Sequence, residues 1–229
     1  MNHIQKGALV VIFPGFNILD VSGPVSVLYN SDFSVTFAAK DELTVSQENT
    51  TVQRNISFAE AKPRLSDWEI LIVPGSRPNN ILPLVQPEDG PRAEIVEFIA
   101  SFASDVNHES IRQRTILSVS LGAYFLASGG VLDGLIATTH RLAVPGLRTV
   151  VERYVEQTPG AKRTRVVPEN SSDSVPYLDG GRNQVGVKVI TTGASVYGLD
   201  AALYFVSLAS SRALAIEVAE LLGHPWKEI

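Results

Sequence analysis

Apolar residues along the chain fall into short unbroken blocks, and between them run longer stretches with helical spacing. Ala8 to Phe13 is continuously apolar and is closed by Pro14-Gly15, the pattern of a strand buried on both faces. Trp68 to Val73, closed by Pro74-Gly75, repeats it, and Thr115 to Val119 is a third, β-branched run. Phe33 to Ala38 alternates as a further strand, and residues 40–60 are polar and β-rich in the manner of a hairpin. Helices are expected around Pro24 to Tyr29, with Pro24 in the first turn, and from Pro91 to Ala103, where Ala93, Val96, Ile99 and Ala103 form an apolar stripe. A helix also follows Ser120 up to Gly129-Gly130, and others cover Val150–Glu156, Val196–Ser210 and Arg212–Leu222. Leu135–Thr139, Arg163–Val167 and Val185–Thr191 read as strands, the last two flanking a polar loop from Glu169 to Arg182. Strands interleaved with helices predict an α/β fold, a three-layer sandwich around a mainly parallel sheet. No linker, repeat or low-complexity segment interrupts it, so residues 1–229 read as a single domain.

Composition narrows the class. The 229 residues are 45% hydrophobic, enough for one substantial core. Charged residues make up 19%, with a net charge of −5, whereas a nucleic-acid or anionic-membrane partner calls for a basic face. No run reaches the roughly 18–20 apolar residues of a membrane span, and the N-terminus lacks a signal-peptide layout. The expectation is a soluble, cytoplasmic protein acting on a small molecule. The chain has no cysteine, which removes disulfides, thiolate metal sites and a thiol nucleophile together. No glycine pattern fits a dinucleotide or phosphate loop, and no His/Asp/Glu cluster has ligand spacing, so neither cofactor nor metal is expected.

Candidate chemistry gathers where strands end. Ser120 follows the Thr115–Val119 run and precedes a glycine and a helical segment, a strand-to-helix turn of the kind that presents a nucleophile. The pattern Ser118-x-Ser120-x-Gly122 lacks the first glycine of the hydrolase elbow. A serine hydroxyl is a weak nucleophile until a base takes its proton. His140 ends the Ala137–Thr139 segment and is placed to face the same sheet edge. His3, His108 and His224 lie near the termini or in a polar stretch and read as solvated. The plainer reading makes Ser120 a small turn residue or helix cap. Asp20, among apolar residues just after the first strand, suits general acid–base work if buried; otherwise it is an ordinary cap or first-turn aspartate. The turns Pro74-Gly75-Ser76 and Thr191–Ser195 offer backbone N–H groups to an anion, or are ordinary turns.

Jointly, these segments resemble the DJ-1/PfpI superfamily, with its class I glutamine-amidotransferase-like, flavodoxin-type fold. The matching pieces are Phe13-Pro14-Gly15 with Leu19-Asp20-Val21-Ser22-Gly23-Pro24, Ile72-Val73-Pro74-Gly75, Ser118–Gly122, Gly130–Gly134, Ala137–His140, and Thr192-Gly193-Ala194 through Leu203. They span most of the chain in order, and the branch they look most like is isonitrile hydratase, beside the amidotransferase-like domains of AraC-type regulators. The resemblance implies that Ser120 stands where the family carries a reactive cysteine, that Asp20 is the acid facing it, and that His140 lies close by. Gly75, Ser76, Leu121 and Gly193 would contact substrate, and a homodimer is implied. Leu121 departs from the family's usual threonine as well, so the serine reads as natural divergence.

A serine cannot supply the thiolate, and an anionic Asp20 beside it disfavours alkoxide formation. The leading expectation is therefore a cofactor-free lyase or hydratase, with Asp20 as general acid–base and Ser120 orienting substrate. Alternatives are a ligand-binding or regulatory domain without turnover, and a serine-nucleophile hydrolase.

Overall fold

The computed structural model of the chain describes residues 7–86, 92–106, 114–168 and 175–226. The apolar blocks form the centre of a seven-stranded sheet: β1 (Gly7–Val11), β2 (Ser34–Ala39), β5 (Ile56–Ser57), β6 (Ile70–Val73), β7 (Thr115–Ser118), β10 (Tyr177–Arg182) and β11 (Lys188–Thr192). Their order is β10-β11-β7-β6-β1-β2-β5, parallel throughout except for β10 at one edge. β1, β6 and β7 are fully buried, as strands covered on both faces must be. The expected hairpin is present as β3 (Leu43–Val45) and β4 (Thr51–Gln53).

Helices cover both faces. α1 (Ile18–Tyr29), α7 (Tyr197–Ala209) and α8 (Arg212–Leu221) pack together on one side. On the other lie α2 (Phe58–Ala61), α3 (Pro78–Val85), α4 (Glu94–Ser104), α5 (Ala123–Ser128) and α6 (Val144–Gln157). No described helix is long and apolar enough to cross a membrane.

Several expectations shift. α1 begins at Ile18, so Pro24 lies inside the helix rather than in its first turn; its ring packs against Gly198 of α7, where an added Cβ would stand 3.2 Å from Pro24 Cγ. Part of the expected polar loop, Tyr177–Arg182, is the antiparallel edge strand β10, because it can pair with β11; residues 169–174 lie outside the described residues. Arg163–Val167 shrinks to β9 (Arg165–Val166), which pairs with β8 (Ile136–Ala137) in a separate two-stranded sheet. α3, with prolines at positions 78 and 83, was hidden by its own composition. α6 starts at Val144, ahead of the expected Val150.

The connectivity matters for function. From β1 the chain moves outward to β2 and β5, then returns to the opposite side of β1 for β6 and β7. The crevice outside the carboxyl ends of β1 and β6 is the point where strand order reverses, the usual ligand position of an open parallel sheet.

Candidate functional site

Three loops meet at that crevice. The one after β1 is fastened to the one after β6: Asn17 N donates to Gly75 O at 2.9 Å, and the Ser76 hydroxyl donates to Gly15 O. Asn80 Nδ2 of α3 donates to Ser76 Oγ at 2.9 Å. The tip of the β3–β4 hairpin closes the far side. There Gly15 N donates to Val45 O, Gln47 N to Phe16 O, and Ile18 N to Glu48 Oε2 at 3.0 Å.

This fastening places Asp20. Asn17 caps α1, its side chain accepting from the amides of Leu19 and Asp20 at 2.9 and 3.3 Å, which leaves the Asp20 carboxylate free for another use. It turns inward, 1% exposed, and its Oδ2 accepts from Gly75 N at 2.8 Å. Its Oδ1 is buried with no hydrogen-bond partner. The acid titrates at about 6, against an ordinary 3.8. Burial raises it most, the Ser195 hydroxyl and the Gly75 amide pull it partly back, and the nearby Glu48 charge adds a small upward push. A side chain at position 75 would intrude here: its Cβ would lie 2.7 Å from Leu121 N and 2.9 Å from Asp20 Oδ2. Gly75 is therefore the contact through which the acid of α1 approaches the elbow.

The elbow itself is sharply bent. Ser120 has φ of 52°, a left-handed conformation that costs a non-glycine residue roughly 1–3 kcal/mol. Two threonines hold it there. Ser120 N donates to Thr192 Oγ1 at 3.1 Å, and Thr139 Oγ1 donates to Ser120 O at 2.8 Å. Val119 N continues the ladder to Val73 O, and the helical turn begins as Gly122 N donates to Val119 O. Ser120 is 8% exposed. Among the described residues no hydrogen bond joins its side chain to Asp20 or to His140. The hydroxyl therefore has no hydrogen-bonded base among the described residues.

His140, Thr139 and Gly193 line one cavity of about 190 Å³ next to the elbow. His140 caps the turn Arg141–Ala143, its Nδ1 accepting from Leu142 N at 3.4 Å. Thr138 N donates to Thr191 Oγ1 at 2.9 Å, which joins the end of β8 to β11. Of the positions singled out from sequence, Gly75 bonds Asp20 and packs closely against Leu121, while Ser120 is linked through the side chains of Thr139 and Thr192 to the chain neighbours His140 and Gly193. The Gly75 amide is engaged by Asp20 and the Ser76 hydroxyl by the loop ties. His224 departs from the solvated reading. It is half-buried, with Nε2 3.0 Å from Asp200 Oδ1 of α7. His3 and His108 lie outside the described residues. Sequence reasoning named Thr192 and Ser195 only as members of the Thr191–Ser195 turn, for its backbone N–H groups, and did not single out Thr139 or Glu48. The paired threonines closing two strands were a signal for the Thr139 and Thr192 side chains; the roles of Ser195 and Glu48 needed tertiary contacts. Among the described residues no three His, Asp or Glu side chains converge as metal ligands.

A family model described as DJ-1/PfpI matches residues 6–175. No curated protein matches the chain in sequence. Solved structures match over nearly its whole length. DJ-1beta of Drosophila melanogaster superposes with a TM-score of 0.70 at 16% identity, covering 97% of this chain and 100% of that one. A ThiJ/PfpI family protein from Pseudomonas syringae gives 0.72 at 19%, covering 98% and 77%. An AraC family transcriptional regulator from Pseudomonas putida gives 0.65 at 16%, covering 95% and 99%. Identities this low speak to the fold alone.

Proposed function

Because the chain belongs to the DJ-1/PfpI family yet contains no cysteine, we propose that it is a cofactor-free hydratase or lyase acting on a small molecule, with Asp20 as its general acid–base. One observation carries this reading. A carboxyl group buried to 1% exposure, with one oxygen unpartnered and a pKa of about 6, stands at the carboxyl edge beside the elbow. A carboxylic acid kept partly protonated near neutrality is suited to proton transfer, and acids so perturbed concentrate at functional sites.

The proposed chemistry needs no thiolate. Protonated Asp20 delivers its proton to the electron-rich atom of a polarised multiple bond, and water adds to the electrophilic atom. The added water then gives up a proton to the Asp20 carboxylate, so the net change is addition of one water. For an isonitrile, the substrate class of the branch the motifs resemble, carbon accepts both the proton and the water oxygen, and rearrangement of the resulting imidic acid yields an N-substituted formamide. Ser120 orients substrate or water through its hydroxyl, and the Leu121 amide lies beside it at the start of the turn. The Gly75 amide holds Asp20 rather than substrate. A homodimer accompanies this reading, tested by sedimentation at twice the chain's mass.

The competing reading is a ligand-binding domain without turnover, supported by the lack of a hydrogen bond between Ser120 and Asp20. Screening a panel of small isonitriles, with Asp20→Asn and Ser120→Ala beside the parent chain, separates the two. Asp20→Asn is expected to lower turnover by a factor of about 10²–10⁴, the usual contribution of a general acid, and Ser120→Ala by far less. A covalent adduct on Ser120, together with complete loss in Ser120→Ala, would instead establish serine nucleophilic catalysis. Binding without turnover, unchanged by Asp20→Asn, would establish the ligand-binding reading.

A further inference from the structure

We propose that the cavity beside the elbow binds the carboxylate of a small organic acid, with Arg141 as its counter-ion. This rests on the reading above only for the identity of the reacting centre. The cavity stands on its own geometry. Its wall includes Thr139, His140 and Arg141 after β8, and Gly193, Ala194 and Tyr197 at the approach to α7.

Continuity with the reacting centre comes through hydrogen bonds. Thr139 donates to Ser120 O at 2.8 Å, and Thr192, the residue before Gly193, accepts from Ser120 N at 3.1 Å. Ser195, the residue after Ala194, is the hydroxyl that favours the charged form of Asp20. The cavity wall is thus tied to the Ser120 backbone through Thr139 and through the chain neighbour of Gly193, and to Asp20 through the chain neighbour of Ala194.

Size restricts the ligand. An apolar cavity of about 150 Å³ holds one benzene, so about 190 Å³ takes a ligand of roughly seven to nine non-hydrogen atoms by the same measure. Charge restricts it further. Arg141 and His140 are the basic groups of the wall, and among the described residues no carboxylate lines it. Arg141 makes no ion pair among the described residues. A guanidinium presents a planar fork that matches a carboxylate. The Leu142 amide donates to His140 Nδ1, which leaves Nε2 as the ring nitrogen that offers a second donor. One guanidinium with one N–H donor beside it matches a monoanion better than a phosphate dianion.

The test uses matched probes on the full chain: butanoate, its neutral isostere butanamide, and inorganic phosphate, each followed by amide chemical shifts. Butanoate is expected to produce saturable shifts at Thr139, His140, Gly193 and Ala194, and to bind about tenfold more tightly than butanamide, the scale of one charge-assisted pair. Arg141→Gln should reduce butanoate to the butanamide level without disturbing the spectrum elsewhere. Equal affinity for the acid and the amide, shifts that map to another surface, or phosphate binding as tightly as butanoate would each overturn the assignment. Asp20→Asn separates this inference from the catalytic reading. Butanoate binding retained while that variant keeps full turnover supports the cavity and removes Asp20 from catalysis. Loss of acid-over-amide selectivity, with turnover still dependent on Asp20, overturns the cavity alone.

Discussion

Asp20 and Ser120 are both held in states that an isolated residue would avoid. The unfolded chain releases the Asp20 proton near 3.8, whereas the folded chain keeps it until about 6. Between those values the native state binds more protons, so Asp20 makes stability fall as pH rises from about 4 to about 6, and the penalty persists above. Asp20→Asn retains an acceptor for the Gly75 amide and removes the buried charge. It should therefore stabilise the protein at pH 8 by about 1–3 kcal/mol and leave it nearly unchanged at pH 3.5, as read by urea denaturation at the two pH values. If Asp20 acts first as an acid, kcat/KM should fall about tenfold per pH unit above 6, since the protonated fraction does so, and Asp20→Asn should lose that limb. The sequence made both residues visible as candidates, since each follows an apolar strand at the edge where ligands bind. It could not separate Asp20 the acid from Asp20 the helix cap. That distinction needed Asn17 in the capping role and the Gly75 amide brought in from a distant strand.

At the scale of elements, the site depends on loops tied across strand ends. Asn17 both caps α1 and donates its amide to Gly75 O. Asn17→Ala should cost about 1 kcal/mol of stability, the usual loss of an N-cap, and should also shift the Asp20 carboxyl resonance, because the first turn carries that residue. Gly75→Ala tests the closest approach. The added methyl would collide with Leu121 N and Asp20 Oδ2, so destabilisation of about 1–3 kcal/mol is expected, with turnover reduced further than the stability loss explains. Strands with continuous apolar runs were legible because burial on both faces leaves one pattern. α3 and β10 were not. Two prolines disguise the helix, and a polar, glycine-bearing segment becomes a strand only when β11 supplies a partner.

On the scale of the whole molecule, the two ends of the sheet do different work. At the amino end, Arg114 is fully buried just before β7. It pairs with Asp105 at 3.0 Å, donates to Leu65 O, and stacks over Phe102 at 4.0 Å. Arg114→Ala removes the buried guanidinium from its pair with Asp105 and empties this space, and should cost about 3–5 kcal/mol by denaturant unfolding while leaving kcat/KM of the folded fraction unchanged. The carboxyl end carries the polar contacts of Asp20, Ser120, Thr139 and Thr192. The α/β class, the parallel sheet and the likeness to the DJ-1/PfpI family followed from sequence alone, because hydrophobic period and turn position are local properties of the chain. Absence of a thiol chemistry was equally a matter of composition. Tertiary structure decided the rest: that Asp20 is buried and its acidity weakened, that among the described residues Ser120 has no hydrogen-bonded base, and that Arg141 and His140 share a cavity with Gly193. Those properties depend on desolvation and on distances between residues far apart in the chain, and neither quantity exists until the strand order brings the loops together.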